Sequence, residues 1–172
     1  MDKTKLNKHF ILASSSQRRL ELLSQIGVKP DLILSPNIDE KIFSKELPRI
    51  YVERMSLEKN RVFQQKCPQS IIVTADTVVS VGRRILPKTM DVNLAEECLK
   101  LISGRRHKVF TSFTVYTPQY SFKTKTIQSI IKFKRLHPDE ISYYLATKEW
   151  EGKAGGYALS LIHISEPTRR KR

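Results

Sequence analysis

The sequence lacks most of the short motifs by which a catalytic or binding site can be recognised. It contains no G-x-G-x-x-G, no Walker A sequence, no H-E-x-x-H and no nucleophile elbow. Its four histidines are spread along the chain and do not group with acidic residues as a metal-binding set would. These absences exclude the motif-defined forms of dinucleotide binding, P-loop chemistry, zinc proteolysis and serine hydrolysis.

Cysteines and long apolar runs are also scarce. The two cysteines, Cys67 and Cys98, have no metal-ligand spacing, and we expect free thiols in a reducing cytoplasm. No apolar run approaches the ~20 residues that a transmembrane helix needs. The run Phe10–Ala13, which follows several lysines, is shorter than the ~7–15 apolar residues of a signal peptide. The sequence therefore predicts a cytoplasmic protein without a membrane segment.

Acidic residues are few. Aspartate and glutamate number 17 against 31 lysines and arginines, which gives a formal net charge of +14. That surplus suits anionic ligands of any size, so two classes of protein stay open. One is an enzyme that acts on a phosphorylated substrate. The other is a basic module that binds nucleic acid or another phosphorylated partner without turnover, although no groove-reading motif or stacking platform supports it.

The apolar pattern predicts an α/β fold with a mixed sheet. A chain of 172 residues is normally one domain with enough length to bury a core. Short apolar strands at 10–13 and 71–75 alternate with helical periodicity, which is clearest over 91–102. A helix that begins near Pro48 and a hairpin that turns at Gly82 extend this interleaving of strands and helices.

Asp76 directly follows the apolar strand 71–75, where an unpaired carboxylate would be costly. Since α/β sites collect at strand ends, this residue could position a divalent metal or act as a general base toward water. It could equally cap a turn or pair with a structural arginine.

The segment Ser14-Ser-Ser-Gln-Arg18-Arg19 lies between a predicted strand and a predicted helix. Backbone N–H groups at a helix N-terminus favour anions, and two arginines add charge and forked donors. The segment therefore predicts a phosphate-binding loop, although a serine-rich cap with two solvated arginines has the same pattern.

Three further charged residues are candidates. Lys59 lies on the second predicted helix and Lys88 on a loop, and either could be a ligand or simply solvated. Glu40, in the acidic pair with Asp39, could bind a metal or belong to a solvated loop.

Taken together and in order, several segments resemble the Maf family of nucleotide pyrophosphatases over about residues 10 to 159. The matching segments are Ile11–Ser16, Arg18–Leu23, Ile38–Glu40, Tyr51–Arg54, Glu58-Lys59, Thr74–Val79, Ser103–Arg105 with His107, and Lys153–Gly155 with Tyr157. The resemblance implies an elongated α/β fold with a central cleft, a requirement for Mg²⁺ or Mn²⁺, and commonly a homodimer. The implied reaction is hydrolysis of a nucleoside triphosphate, either dTTP and UTP or a modified nucleotide, to the monophosphate and pyrophosphate. Nucleic acid is not an expected partner.

The resemblance also implies roles for individual residues. Asp76 would be the catalytic proton acceptor, and Asp76 and Glu40 would be metal ligands. The triphosphate would be held by the remaining cationic candidates and the serine that opens the loop: Ser14, Arg18, Arg19, Lys59 and Lys88. Thr77 would help to select the base, and the Ala-Asp-Thr form around Asp76 is similar to the subgroup that acts on dTTP and UTP.

Three departures from the family pattern accompany this resemblance. Gln17 replaces a proline between Ser16 and the arginine pair. Pro87-Lys88-Thr89 replaces Gly-Lys-Pro, and because proline fixes φ, the Lys88 side chain could point in a different direction. Ser160 stands where the family has a glutamine thought to contact substrate. We therefore expect a C-terminally incomplete family domain over 1–159 and a basic, artefactual tail over 160–172.

Overall fold

A computed structural model of the protein describes residues 9–158. Within that range six strands alternate with four helices, as the apolar pattern predicts. The elements in chain order are β1 (Phe10–Ala13), α1 (Gln17–Gln25), β2 (Leu32–Leu34), α2 (Pro48–Lys66), β3 (Ile71–Val81), β4 (Arg84–Leu86), α3 (Val92–Ile102), β5 (Arg106–Thr117), β6 (Ser121–Lys132) and α4 (Pro138–Ala146). None of the helices in this part of the chain is long and apolar enough to cross a membrane.

The strands form one mixed sheet in the order β2-β1-β3-β5-β6, with β4 paired to β3 beside that path. Strand β1 runs parallel to both β2 and β3, whereas β3 and β4 run antiparallel. The predicted α/β class and mixed sheet are confirmed. The expected tail over 160–172, including Ser160, lies outside the described residues.

Asp76 lies within β3, and the prediction that it follows the end of this strand is wrong. The strand changes partners along its length: Ile71–Thr74 pair with β1, and Val79–Val81 pair with β4. The β-branched residues after Asp76 favour the extended conformation that joins the two paired segments. Asp76 therefore lies just beyond the parallel-paired part of β3, in the middle of a continuous strand.

The described residues divide into two compact units: 9–76 with 111–127, and 77–110 with 128–158. We call them the first and second units and describe each by itself. A core cluster of the first unit contains apolar side chains from β1, α2 and the residue after it, β3 and β5: Ile11, Ala13, Phe63, Cys67, Ile72 and Tyr116. Asn60, on the buried face of α2, donates hydrogen bonds to the carbonyls of Ile72 and Thr114, each at 3.0 Å. These bonds fix α2 against two strands of the first unit.

In the second unit, α3 follows the helical periodicity predicted over 91–102 and packs an apolar stripe into the core. Asp91 caps the helix by accepting a hydrogen bond from the backbone N–H of Asn93 at 2.9 Å. The described core of this unit contains eleven buried side chains: Val79, Leu86, Ala95, Cys98, Leu99, Ile102, Phe133, Ile141, Tyr144, Trp150 and Tyr157. Val92 fits the same apolar periodicity but is 46% exposed, because it lies in the first turn, at the end of the helix. Both cysteines are free thiols, as predicted, and both are buried.

The segment around Gly155 is held closely against the β3–β4 hairpin of the second unit. The N–H of Gly155 donates to the carbonyl of Pro87 at 3.2 Å, and Ala154 forms an isolated antiparallel bridge with Lys88. Gly155 has φ +72°, and a Cβ at this position would lie 2.9 Å from the Cβ of Val79. Both the backbone conformation and the close approach therefore require glycine.

We expect Gly155→Ala to destabilise the protein more than Gly82→Ala. Gly82 has φ +59° with no atom within 4 Å of an added Cβ. Gly82→Ala should therefore cost only the free energy of placing an alanine in the left-handed conformation, about 1–2 kcal/mol. Gly155→Ala adds the overlap with Val79, which typically costs a further ~1–3 kcal/mol. Urea unfolding of the two variants measures the difference, and equal unfolding free energies would contradict the close packing.

Candidate active site

A buried ion pair joins α2 to β3 in the first unit. The Lys59 ammonium donates to Asp76 Oδ1 at 2.8 Å, and the two residues are 5% and 1% exposed. Buried charges are tolerated when they are paired, which explains how an aspartate can lie inside an apolar strand. The position of Lys59 on the buried face of α2 follows from the packing of its neighbour Asn60 against β3 and β5.

Glu40 brings a second carboxylate to the same ammonium. Its Oε1 lies 2.6 Å from Lys59 Nζ, and its side chain is 40% exposed. Glu40 belongs to the irregular segment between β2 and α2, whereas its partner is fixed in a helix. One lysine is thus shared by a buried carboxylate on the sheet and a solvent-accessible carboxylate on a loop.

Arg19 and Ser14 lie at the β1–α1 junction of the same unit. Arg19 Nη1 donates to Ser14 Oγ at 2.9 Å, and the backbone N–H of Ser16 donates to the same oxygen at 3.2 Å. Burial lowers the pKa of the Arg19 guanidinium, and the charges of Asp76 and Glu40 oppose that shift. The guanidinium therefore lies within the electrostatic reach of both carboxylates, as a cation that could meet an anionic ligand.

The structure places the other predicted residues as follows. Arg18 is exposed on α1 in the first unit. Thr77 follows Asp76 on β3 and is half-buried, and Lys88 is exposed after β4; both belong to the second unit. The roles of all the candidate residues stay predictions. Ser14, Arg19, Glu40, Lys59 and Asp76 belong to the first unit, as does Arg18.

Sequence reasoning missed the residues that hold this site together. Asn60 was not predicted to have a role. It lies on the buried face of α2, and a polar side chain in such a position usually has buried hydrogen-bond partners. Tyr51 and Arg54 were recognised as a motif without a function, and both contact the loop that carries Glu40.

The two carboxylates fit a divalent cation that binds together with a phosphate ligand. Among residues 9–158, no three histidine, cysteine or acidic side chains lie close enough to hold a metal ion by themselves. Magnesium is commonly bound by one or two carboxylates together with substrate phosphates, and Glu40 and Asp76 supply two carboxylates that both contact the Lys59 ammonium. A carboxylate pair, a lysine and an arginine can therefore bind a metal–phosphate ligand and accept a proton from water.

Comparison with known proteins assigns the chain to a family. The family model described as Maf-like protein matches residues 9–165. A dTTP/UTP pyrophosphatase of Wolbachia pipientis wMel is 49% identical over 149 residues, which cover 86% of this chain and 75% of the relative. A nucleoside triphosphate pyrophosphatase of Ehrlichia chaffeensis is 45% identical over 151 residues, which cover 88% of this chain and 79% of the relative.

A solved structure is also similar, at a greater distance. It is a nucleoside-triphosphatase / dITP/XTP pyrophosphatase from Mycobacterium abscessus, with 16% identity, a TM-score of 0.45 and 75% of each chain covered. That likeness is too weak to support an inference. The family model and the close relatives, over most of the chain, are sufficient: this protein belongs to the Maf-like protein family.

Proposed function

We propose that this protein is a nucleoside triphosphate pyrophosphatase that prefers dTTP and UTP. It hydrolyses the bond between the α- and β-phosphates and releases the nucleoside monophosphate and pyrophosphate. Family membership and the activities named for its close relatives support this function. The observation that carries it is the Lys59 ammonium between Asp76 and Glu40, in the unit that also holds Arg19 and Ser14.

Binding of the triphosphate rests on the cations of the first unit. Arg19 offers a forked donor whose position is fixed by Ser14, and Arg18 adds a second guanidinium on the exposed side of α1. The N-terminus of α1, capped at Ser16 without a side-chain hydrogen bond, leaves backbone N–H groups for phosphate oxygens. Lys59 would neutralise charge nearest to the reacting phosphate.

Asp76 is the residue we assign as general base. Its carboxylate accepts a proton from water as the water oxygen bonds to the α-phosphorus, and the bond from that phosphorus to the bridging oxygen breaks. Pyrophosphate leaves with the electron pair of this bond, and the proton on Asp76 returns to solvent. Glu40 and Asp76 would hold a divalent cation, which when bound neutralises charge on the phosphate oxygens.

The identity of the metal, two further binding residues, the oligomeric state, the location and the domain bounds are also part of this proposal. We propose Mg²⁺ or Mn²⁺ as the cation, a contribution of Lys88 to triphosphate binding, and a contribution of Thr77 to base selection. A homodimer, a cytoplasmic location and a family domain over residues 1–159 complete it. Their support is the resemblance of the matched segments to the Maf family.

Pyrophosphate release from each common nucleoside triphosphate, measured with Mg²⁺ and with Mn²⁺, tests the proposed activity. We expect the highest kcat/KM with dTTP and UTP and no turnover after chelation of the metal, because without the cation the two carboxylates repel the anionic triphosphate. Release of orthophosphate in place of pyrophosphate would contradict the assignment. Salt-sensitive binding without any turnover would support the alternative of a non-catalytic basic protein.

We expect Asp76→Asn to lower kcat by about 10²–10⁴-fold, the usual contribution of a general base. Asparagine has the shape of aspartate but does not serve as the proton acceptor, so substrate binding should suffer less than turnover. Asp139→Asn, the same change at an exposed carboxylate of α4, is the matched control and should retain the parent rate. A parental kcat in folded Asp76→Asn would overturn the role of Asp76.

A further inference from the structure

The segment that carries Glu40 is irregular and is held by polar contacts. Residues 35–47 contain no helix or strand, and the segment's large apolar side chains are poorly buried. Ile42, Phe43 and Leu47 are 43%, 56% and 45% exposed. Apolar burial of these three side chains therefore contributes little to the order of the loop, which leaves a larger share to its polar contacts with α2.

Arg54 of α2 binds Glu46 of the loop through a forked pair of hydrogen bonds. Arg54 Nε donates to Glu46 Oε1 and Arg54 Nη2 to Glu46 Oε2, both at 2.7 Å. The side chains of Arg54 and Glu46 are 18% and 6% exposed, so this pair is better shielded from water than an ion pair on the surface. The hydrogen bonds from Arg54 lower the pKa of Glu46, and those to Glu46 raise the pKa of Arg54.

The same helix fixes the backbone at Glu40 itself. The Tyr51 hydroxyl donates to the carbonyl of Glu40 at 2.9 Å, and Arg54 Nη2 donates to the carbonyl of Lys41 at 2.8 Å. The Arg54 guanidinium also lies 3.9 Å from the centre of the Phe43 ring. Two consecutive carbonyls are thus fixed by side chains from adjacent turns of the helix that presents Lys59.

We propose that Tyr51, Arg54 and Glu46 form a latch that positions Glu40 and thereby sets the affinity of the site for the divalent cation. Arg54 is a positioning residue: in the described contacts it acts through the loop and not on the reacting groups. The proposal rests on the proposed function, because the role of Glu40 as a metal ligand is part of that function. A loop that is already ordered brings its carboxylate to the metal without a further loss of conformational freedom.

The chain offers a matched control for this latch. Arg49 and Glu53 form another arginine–glutamate pair on α2, with Nε to Oε1 at 3.1 Å. Their side chains are 61% and 34% exposed, and the pair lies within the helix. Arg49→Gln therefore removes the same charge and the same kind of ion pair from the same helix while leaving the latch intact.

Hydrogen exchange of the full-length protein tests the latch without metal or substrate. We expect Arg54→Gln to raise amide exchange across residues 36–47, and Arg49→Gln to leave it unchanged. Glu46→Gln keeps an acceptor for Arg54 and provides a milder variant if Arg54→Gln folds poorly; it should raise exchange over the same residues. Parental exchange over this loop in folded Arg54→Gln and Glu46→Gln would overturn the latch.

Metal dependence tests the consequence of the latch. We expect Arg54→Gln to weaken the apparent affinity for Mg²⁺ by about 10- to 100-fold, the usual effect of losing a residue that orients a metal ligand. The effect on kcat at saturating Mg²⁺ should be smaller, and Arg49→Gln should change neither constant. A loss of kcat with unchanged Mg²⁺ affinity would overturn the proposed consequence.

Binding of Mn²⁺ together with inorganic pyrophosphate, followed by electron paramagnetic resonance, separates this inference from the proposed function. Glu40→Gln and Arg54→Gln should both weaken Mn²⁺ binding relative to the parent and to Arg49→Gln. If Glu40→Gln has no effect, the metal assignment in the proposed function fails, while hydrogen exchange still reports on the latch. If Glu40→Gln weakens binding and Arg54→Gln does not, the latch proposal fails by itself.

Discussion

The buried ion pair between Lys59 and Asp76 is the interaction on which the rest of the site depends. An aspartate in the middle of a sheet strand needs a compensating charge, because loss of one partner of a buried pair typically costs about 3–5 kcal/mol. Lys59 supplies that charge from α2 and at the same time reaches Glu40 on the loop before the helix. The pair therefore links helix, strand and loop through one ammonium group.

The position of Lys59 depends in turn on packing that has no catalytic character. Asn60 fixes α2 to the carbonyls of Ile72 and Thr114, and Thr74 donates to the carbonyl of Ser56 at 2.7 Å. These contacts set the register of α2 against β3, and Thr74 lies two residues before Asp76 on that strand. A polar network of this kind restricts the helix to one register, whereas apolar contacts alone tolerate small shifts.

Much of this architecture could be predicted from the sequence. Apolar periodicity located the helices, the proline at position 48 marked the start of α2, and Gly82 marked the hairpin turn. Asp76 can be recognised as a candidate because an unpaired charge next to an apolar strand is energetically costly. The ordered set of matching segments indicates the family. These features are local or depend on chain order, so they can be recognised in one sequence.

What could not be predicted depends on contacts between distant residues. The continuation of β3 through Asp76 follows from an exchange of partner strands, from β1 to β4, which no local pattern encodes. Lys59 looked like a solvated helical lysine, because the carboxylates that meet it lie 19 residues before it and 17 residues after it. The contacts of Arg54 with Glu46 and with the Lys41 carbonyl depend on the path of an irregular loop. The motif that includes Arg54 was visible in the sequence, but its partners were not.

The central claim is that water attacks the α-phosphorus of the substrate and not the β-phosphorus. Hydrolysis of dTTP or UTP in water enriched in oxygen-18, followed by mass spectrometry of both products, tests it most directly. The account predicts that one labelled oxygen appears in the nucleoside monophosphate and none in pyrophosphate. Label in pyrophosphate would show attack at the β-phosphorus and would contradict the account.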